Sequence, residues 1–500
     1  MRISPKEIQK SYAVLKKSAR QSLNAGNIAE ALQTIRNCEV LAEQFNWIYA
    51  DAEIEQMLKE IGENLVPTVT QDYTPKEERV VLYDDFCVTY VLGVQYIEAL
   101  LKAGKEVLFL TCKSYKDSEN GKNFDNYIRT YKGLIVVQIN EADVFVRAQK
   151  LYNTIVDFQP SKLFLHKSAN SAIDPILYRL PKQITRYLIN LQDQTYWLGV
   201  GAIDNSIEFR PFGAAISLER RGLKKEQLLM LPFYPIQDKN PFEGFPKEAD
   251  GHLTIFSGGE VYKSMDSKRT YWKLIKWLLN TYPDVRFLFA AKGTPVGDAY
   301  IQDFVETNHF EDRFMQIGFR KDIYEVLGHC DIYMGTSPTS GSLMSQLAAI
   351  NGKPILQYYY PGTPDDETEQ ALCINDTFPI SFQDEEAFKQ EACRLITDTD
   401  YRKRQGERIR MSMIQPEQFN AALKQLVETN ESPFPVMTCE VNHQHIEERW
   451  YGLEKKGYLN TFAYVCGLLQ TKGMLTEVPS LYIKKQLERL INKSKYILNI

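Results

Sequence analysis

Four short stretches in the second half of the chain hold residue types suited to gripping an anion. They are Ser257-Gly258-Gly259, Lys292-Gly293, Gly318-Phe319-Arg320-Lys321, and the hydroxyl-rich tract from Gly335 to Ser342 within DIYMGTSPTSGSLMSQLAAINGKPIL. Glycine lets a ligand approach the backbone, and the N–H groups at a helix start turn the positive end of the dipole toward a phosphate. Lys292, Arg320 and Lys321 add charge. Taken singly, each glycine is an ordinary turn and each cation a solvated side chain. Together they describe a site for a diphosphate, provided the fold brings them to one edge.

The elements that must do so are legible in the periodicity. Ile332 to Met334 is an apolar run of strand length and Gly335 to Ser342 is a loop. From Leu343 the apolar positions Leu343, Leu347 and Ile350 recur at helical spacing. That helix stops at Asn351-Gly352, and Lys353-Pro354-Ile355-Leu356 reads as the next strand. The unit recurs through HLTIFSG, RFLFAAKG, FMQIGF, DIYMGT and KPILQYY. An earlier series runs ERVVLYDD, a helix in VTYVLGVQYIEALLKAG, then KEVLFLTC, GLIVVQIN and SKLFLH. Such alternation predicts an α/β protein with two doubly wound, Rossmann-like sheets in tandem. The segment LPFYPIQDKNPFEGFPKEADG between them has the Pro and Gly content of a hinge. In open parallel sheets ligands bind beyond the carboxyl ends of the strands, and all four anion-suited stretches stand at such ends.

Residues 4 to about 65 carry only helical periodicity, and GNIAEALQTIRNCEVLAEQFN resembles a helical hairpin of the tetratricopeptide kind. Pro67 to Glu78 reads as a linker, and about His443 to Ile500 is helical again. The expected division is a helical region over 1–70, a first Rossmann-like domain over 75–235, a second Rossmann-like domain over 250–430 and a C-terminal helical region over 440–500. The N-terminal helices are expected to be an appended unit that packs on the first α/β domain or mediates assembly, so that a chain beginning near Thr74 stays folded but loses oligomerisation or acceptor affinity. At 500 residues there is sequence for three or four domain-sized units. A net charge of -5 leaves no basic footprint for nucleic acid. Eight scattered cysteines without a C-x-x-C pair read as reduced thiols, and with no signal peptide or membrane-spanning run the expected compartment is the cytoplasm. His443 and His445 fall on different helix faces and make no metal pair.

The series TIFSGGEVYKSMDSKRTYWKLIKWLLNTYPDVRFLFAAKG, QIGFRKDIYEVLGHCDIYMGTSPTSGS and AAINGKPIL resembles the nucleotide-sugar-binding half of GT-B glycosyltransferases. The block LINLQDQTYWLGVGAIDNSIEFRPFGAAISLERRG is similar to one shared by bacterial glycosyltransferases of surface-polysaccharide and glycoprotein clusters. The resemblance implies a donor, UDP-linked, with its diphosphate against Gly258, Gly259, Gly341 and Ser342, its base and ribose near Phe319 and Arg320, and charge supplied by Lys292, Arg320 or Lys321. A glycan or protein acceptor enters from the first domain. The nucleotide sugar is a co-substrate, and no cofactor or metal is implied. Self-association and peripheral contact with a membrane carrying a lipid-linked acceptor are compatible with this reading.

Two departures from the pattern shape the chemistry. Retaining enzymes of the commonest GT-B type place two glutamates eight apart across the segment that here reads SPTSGSLMSQLAAI, which has no acid. Relatives tend to have His after the Asp of the first-domain block, where this chain has Asp193 followed by Gln194. Inverting transfer needs a general base, which Gln194 cannot be. Asp193 and His166, at the end of SKLFLH, are the candidates, with Asp193 placed first; imidazole suits base chemistry near neutral pH. Tyr196 and Trp197 offer a stacking face for a sugar, and Arg210 could reach a phosphate or Glu208 in the cleft. Two other readings stay open at this level: a non-catalytic subunit that binds an acceptor and a partner transferase, and a nucleotide-sugar epimerase.

Overall fold

The computed structural model describes residues 3–497 apart from 88–91, 118, 236–239, 246–251, 267, 292–294, 360–366, 445 and 448–460. Three helices come first: α1 (Pro5–Asn24), α2 (Ile28–Phe45) and α3 (Ala52–Leu65). The capping box of Ser4 with Glu7 and Pro5 in the first turn start α1, and Asp51 caps α3 by accepting from the N–H groups of Glu53 and Ile54.

The first sheet follows as β1 (Lys76–Asp84), α4 (Leu92–Lys102), β2 (Glu106–Thr111), α5 (Glu119–Ile128), β3 (Leu134–Gln138), α6 (Val144–Phe158), β4 (Pro160–His166), α7 (Asp174–Leu177), β5 (Thr185–Ile189), β6 (Asn205–Glu208), α8 (Pro211–Glu219) and β7 (Leu228–Met230). Its order is β3-β2-β1-β4-β5-β6-β7, all parallel. Both faces are covered, which is why its central strands read as unbroken apolar runs. Val81 and Tyr83 face one core while Val80 and Leu82 face the other.

The second sheet is built from β8 (Leu253–Gly258), α9 (Thr270–Thr281), β9 (Val285–Ala290), α10 (Pro295–Asn308), β10 (Phe314–Gln316), α11 (Ile323–Gly328), β11 (Ile332–Met334), α12 (Ser342–Ile350), β12 (Ile355–Tyr358), α13 (Glu367–Leu372) and β13 (Ser381–Phe382). It runs β10-β9-β8-β11-β12-β13, again parallel. The helices α14 (Glu385–Thr397), α15 (Thr399–Ser412), α16 (Pro416–Thr429), α17 (Thr461–Thr476) and α18 (Pro479–Ile497) complete the chain. Two parallel doubly wound sheets in tandem form the two-domain GT-B architecture.

Phe419 of α16 returns to the first domain, its ring 5.4 Å from Tyr96 and 5.8 Å from Tyr234. Beyond it, Phe434 bridges to Met230 at the end of β7, and the Ser432 hydroxyl donates to the Met230 carbonyl.

The terminal helices are not an appendage. Ile8, Leu32, Ile35, Leu58 and Ile61 share one core with Val81, Leu108 and Leu163 of the first sheet, joined by Val465 and Leu481 of α17 and α18. A buried ionic cluster sits at this junction. Glu39 accepts from the N–H groups of Asn170 (2.7 Å) and Leu198 (3.3 Å), Glu55 from that of Gly199 (2.9 Å), and Lys167 pairs with Asp174 at 2.9 Å. Removing residues before Thr74 would strip apolar cover from the sheet and leave Lys167 and Asp174 without their surroundings, so the expectation of a separable unit is corrected: α1–α3 are part of the first domain's core.

The linker is likewise more committed than a free hinge. Of its described residues, 240–245 are tied to the second domain: Asn240 donates to the Lys321 carbonyl (2.9 Å), the Glu243 N–H to Asp322 (2.7 Å), and Arg320 to the Gly244 carbonyl (2.8 Å).

Candidate functional site

The carboxyl edge of the first sheet sets two titratable groups side by side. β1 ends in Asp84 and β4 in His166, and the parallel register pairs those two residues directly. His166 Nδ1 lies 3.0 Å from Asp84 Oδ2. The other carboxylate oxygen, Oδ1, accepts from the N–H groups of Phe86 (2.7 Å) and Cys87 (2.8 Å), which fixes the carboxylate in the turn after β1. With an acceptor on Nδ1, the imidazole holds its proton there and leaves the Nε2 lone pair available. Nε2 is buried and has no hydrogen-bond partner among the described residues, and the Phe86 ring lies 4.6 Å from the imidazole. An orphaned buried nitrogen costs about 1–3 kcal/mol, which a ligand hydroxyl would recover.

Gly93, at the start of α4, makes room for this pair. A Cβ there would stand 2.0 Å from Asp84 Oδ2, so any side chain would displace the carboxylate. Asp85 turns elsewhere, accepting from Tyr83 Oη (2.9 Å) and Ser171 Oγ (2.5 Å), and burial pushes its carboxyl up. Asp84 and Asp85 are therefore not a chelating pair.

Asp193 stands in a different role from the one expected of it. Its carboxylate is almost wholly buried and takes two hydrogen bonds from Arg210, 2.6 Å from Nε and 3.0 Å from Nη2. The Arg210 guanidinium lies between the rings of Phe209 and Phe212, at 5.0 Å from each. The backbone carbonyls of Asp193 and Thr195 both accept from Arg221 at 2.7 Å. To take the acceptor's proton Asp193 would have to give up a buried two-point ion pair with Arg210, so His166 is placed ahead of Asp193. The expectation that Arg210 reaches Glu208 is corrected too. Glu208 instead accepts from Asn190 (2.8 Å), Ser206 (2.8 Å) and Ser217 (2.6 Å). Tyr196 and Trp197 are buried in the core shared with α1–α3 rather than offered to a sugar. Gln194, between these anchored residues, is half-buried.

The second sheet gives the anion-binding edge. β8 ends at Gly258, where a Cβ would be 2.9 Å from the Ala290 carbonyl oxygen, and Gly259 takes φ +140°, a region L side chains avoid. Gly341 is the N-cap of α12 and Ser342 its first residue. Gly341 brings no side chain to cap the helix, so the first-turn N–H groups keep their capacity for a ligand. The Oγ of Ser342 and the Oγ1 of Thr339 are buried and unpartnered among the described residues. Lys263 lies in the turn after Gly258. Its carbonyl accepts from the Thr339 N–H at 3.2 Å, and its Nζ comes to 3.9 Å from where a Gly341 Cβ would stand.

The loop cations divide. Arg320 is committed to Asp322 through two hydrogen bonds, 2.7 and 2.6 Å, which hold the Asp322 carboxyl below its usual range; its expected place beside base and ribose is corrected to that of a linker clamp. Lys321 is exposed, and Phe319 is 71% exposed at the loop tip. Lys292 and Gly293 lie outside the described residues.

Sequence reasoning missed Asp84 as the partner of His166, although the strand order of a doubly wound sheet makes β1 and β4 neighbours and so puts their last residues together. Lys263 carried no comparable signal, because its approach to Gly341 joins segments that only folding brings together.

No family model and no curated protein matches the sequence. Among solved structures, an O-GlcNAc transferase of Thermobaculum terrenum, in a mutant form, superposes with a TM-score of 0.51 at 16% identity over 85% of each chain. A glycosyltransferase from Rickettsia africae gives a TM-score of 0.52 at 12% identity, over 72% of this chain and 100% of that one. A UDP-N-acetylglucosamine 2-epimerase gives 0.48 at 12% identity, over 73% of this chain and 100% of that one. The fold is thus the GT-B fold that the first two glycosyltransferases share. At these identities the reaction has to be argued from the site.

Proposed function

We propose that the chain is a glycosyltransferase that moves a sugar from a nucleotide-sugar donor, UDP-linked, to a hydroxyl of a glycan or protein acceptor. The observation that carries the reading is the Asp84–His166 pair at the carboxyl edge of the first sheet, whose buried Nε2 has no partner among the described residues. His166 Nε2 takes the proton of the acceptor hydroxyl as that oxygen attacks the anomeric carbon, and Asp84 steadies the imidazolium that results. The bond from the sugar to the diphosphate breaks. The charge left on the nucleoside diphosphate is met by the α12 N-terminus, Ser342 Oγ and Lys263, so the reading requires no metal ion. One base on one side, and no acid in SPTSGSLMSQLAAI, favour inversion at the anomeric carbon.

The test has two arms. UDP at millimolar concentration should raise the melting temperature of the wild type and of His166→Ala alike. Transfer should fall about a hundredfold to ten-thousandfold in His166→Ala, the span typical of a lost general base. No stabilisation by UDP or related nucleotides would remove the donor site, and full activity in His166→Ala would remove the base.

A further inference from the structure

We propose that the lobe formed by the two chain ends is a docking surface for an anionic lipid bilayer, with α18 lying in the interface. The inference stands apart from the transfer reading, because it rests on a different face of the molecule.

α18 has two sides. Leu481 is fully buried in the core of the first domain. Ile483, Leu487 and Leu490 follow at spacings of four and three, which puts them in one stripe turned away from Leu481. They are 58, 47 and 62% exposed, and Leu475 at the end of α17 is exposed beside them in the chain. Scattered exposed leucines need no explanation, whereas a helical stripe of them does.

The charge around the stripe identifies its occupant. Over its described side chains, Pro479 to Leu490, α18 carries Lys484, Lys485 and Arg489 against one acid, Glu488. Helical geometry sets Lys484 on one flank of the stripe and Arg489 on the other. Lys484 also pairs with Glu7 at 2.7 Å, which joins α18 to α1. α1 is itself basic, exposing Lys6, Lys10 and Lys17. α1 carries five cations against one acid, whereas α2 and α3 carry seven acids against two cations, so the excess of positive charge in this lobe lies on α1 and α18.

An apolar stripe between cations is the pattern of a helix that lies on a membrane: the apolar side chains enter the acyl boundary and the cations meet anionic headgroups. Among the described residues no helix is long and apolar enough to cross one. A second copy of this chain fits the same stripe less well. A two-fold contact through it would set like-charged flanks against each other, which a neutral or acidic flank would avoid.

Flotation of the full chain with vesicles tests the proposal. Binding should be at least about tenfold tighter to phosphatidylcholine containing about a third phosphatidylglycerol than to phosphatidylcholine alone, and should weaken in high salt. Replacing Ile483, Leu487 and Leu490 together by Gln should abolish flotation with no change in melting temperature or in UDP binding. Arg489→Glu with Leu490→Gln, both on the exposed side, gives a second variant should the triple one fail to fold, and should lower binding at least about tenfold. Equal binding to both vesicle types, no flotation of the wild type, or flotation that survives both variants would overturn the proposal. A dimer in solution that the triple variant dissociates would overturn it as well and give the stripe to a second copy.

Discussion

Asp84→Asn changes one atom in the pair and reverses the direction of a hydrogen bond. The carbonyl oxygen of the introduced amide can still accept from the N–H groups of Phe86 and Cys87, now 2.7 and 2.8 Å from Oδ1, so the turn after β1 should survive. The amide nitrogen would then face His166 Nδ1 across the present 3.0 Å gap. An amide donates where the carboxylate accepted, so Nδ1 must become the acceptor and the ring proton moves to Nε2. The lone pair that should receive the hydroxyl proton is gone. A base locked in the wrong tautomer costs about ten-thousandfold in rate, equivalent to roughly 5 kcal/mol at the transition state. The assay is release of nucleoside diphosphate at saturating donor, with His166→Ala and the double variant measured in parallel. Because both changes disable one unit, the double variant should be no slower than His166→Ala alone. Nitrogen-15 spectra of the histidine ring give a readout free of turnover: the proton should sit on Nδ1 in the wild type and on Nε2 in Asp84→Asn. The reasoning fails if the folded variant keeps more than about a tenth of the wild-type rate, or if the two losses multiply.

Gly341→Asp should fold normally, since the nearest atoms to a Cβ there are 3.8 and 3.9 Å away, yet lose stabilisation by UDP because a carboxylate then pairs with Lys263 in the anion site; a retained UDP shift in differential scanning fluorimetry would move the site elsewhere. Gly62→Ala would drive a Cβ to 2.2 Å from the Pro175 carbonyl oxygen, a backbone atom in α7 that cannot easily yield, and should cost about 1–3 kcal/mol in urea unfolding; an unchanged midpoint would mean that α3 is not docked on the first domain. Burial, and then the nearby Asp174, push the Glu39 carboxyl up to about 8 from 4.5, against Lys167 and the Asn170 N–H. A carboxyl raised by folding contributes stability that is full below its unfolded value and is lost as pH rises through its folded one. The melting temperature should therefore fall between about pH 5 and pH 8, and Glu39→Gln should flatten that slope; equal slopes in both proteins would exclude Glu39 as the cause.

The fold is legible in the sequence because its signals are local. Runs such as VVLYD and IYM are read from a few residues each, and the parallel arrangement follows from the helices between them. The anion edge around Gly341 and Ser342 is legible for the same reason, since strand, loop and helix start are contiguous there. The base is not. Asp193 looks available because it follows a strand and precedes a loop, and nothing local shows that Arg210, seventeen residues on, takes both its oxygens. Tyr196 and Trp197 likewise look like a sugar platform until α1–α3 cover them, a contact made across more than a hundred residues of chain. Arg320 matches a cation at a ligand loop, yet its fork finds Asp322 two residues away, an attachment the spacing alone could have suggested.

The path of the chain governs how the two lobes can move. The outgoing segment passes Met230 with Leu231 and Tyr234 still held by Glu208 and Gln95 of the first domain, and the returning segment lies against Met230 through Ser432 and Phe434. Both pins are therefore set in one post. Motion about paired pins is a rotation with a single pivot, and sliding of one lobe along the other would have to tear the bridge. Helix α16 rides with the post, through Phe419 against Tyr96 and Tyr234, although it follows the second sheet in the chain. The moving leaf of the door thus ends before Pro416, and a single protease cut among residues 236–251 would leave the lobes still tethered by the other strand.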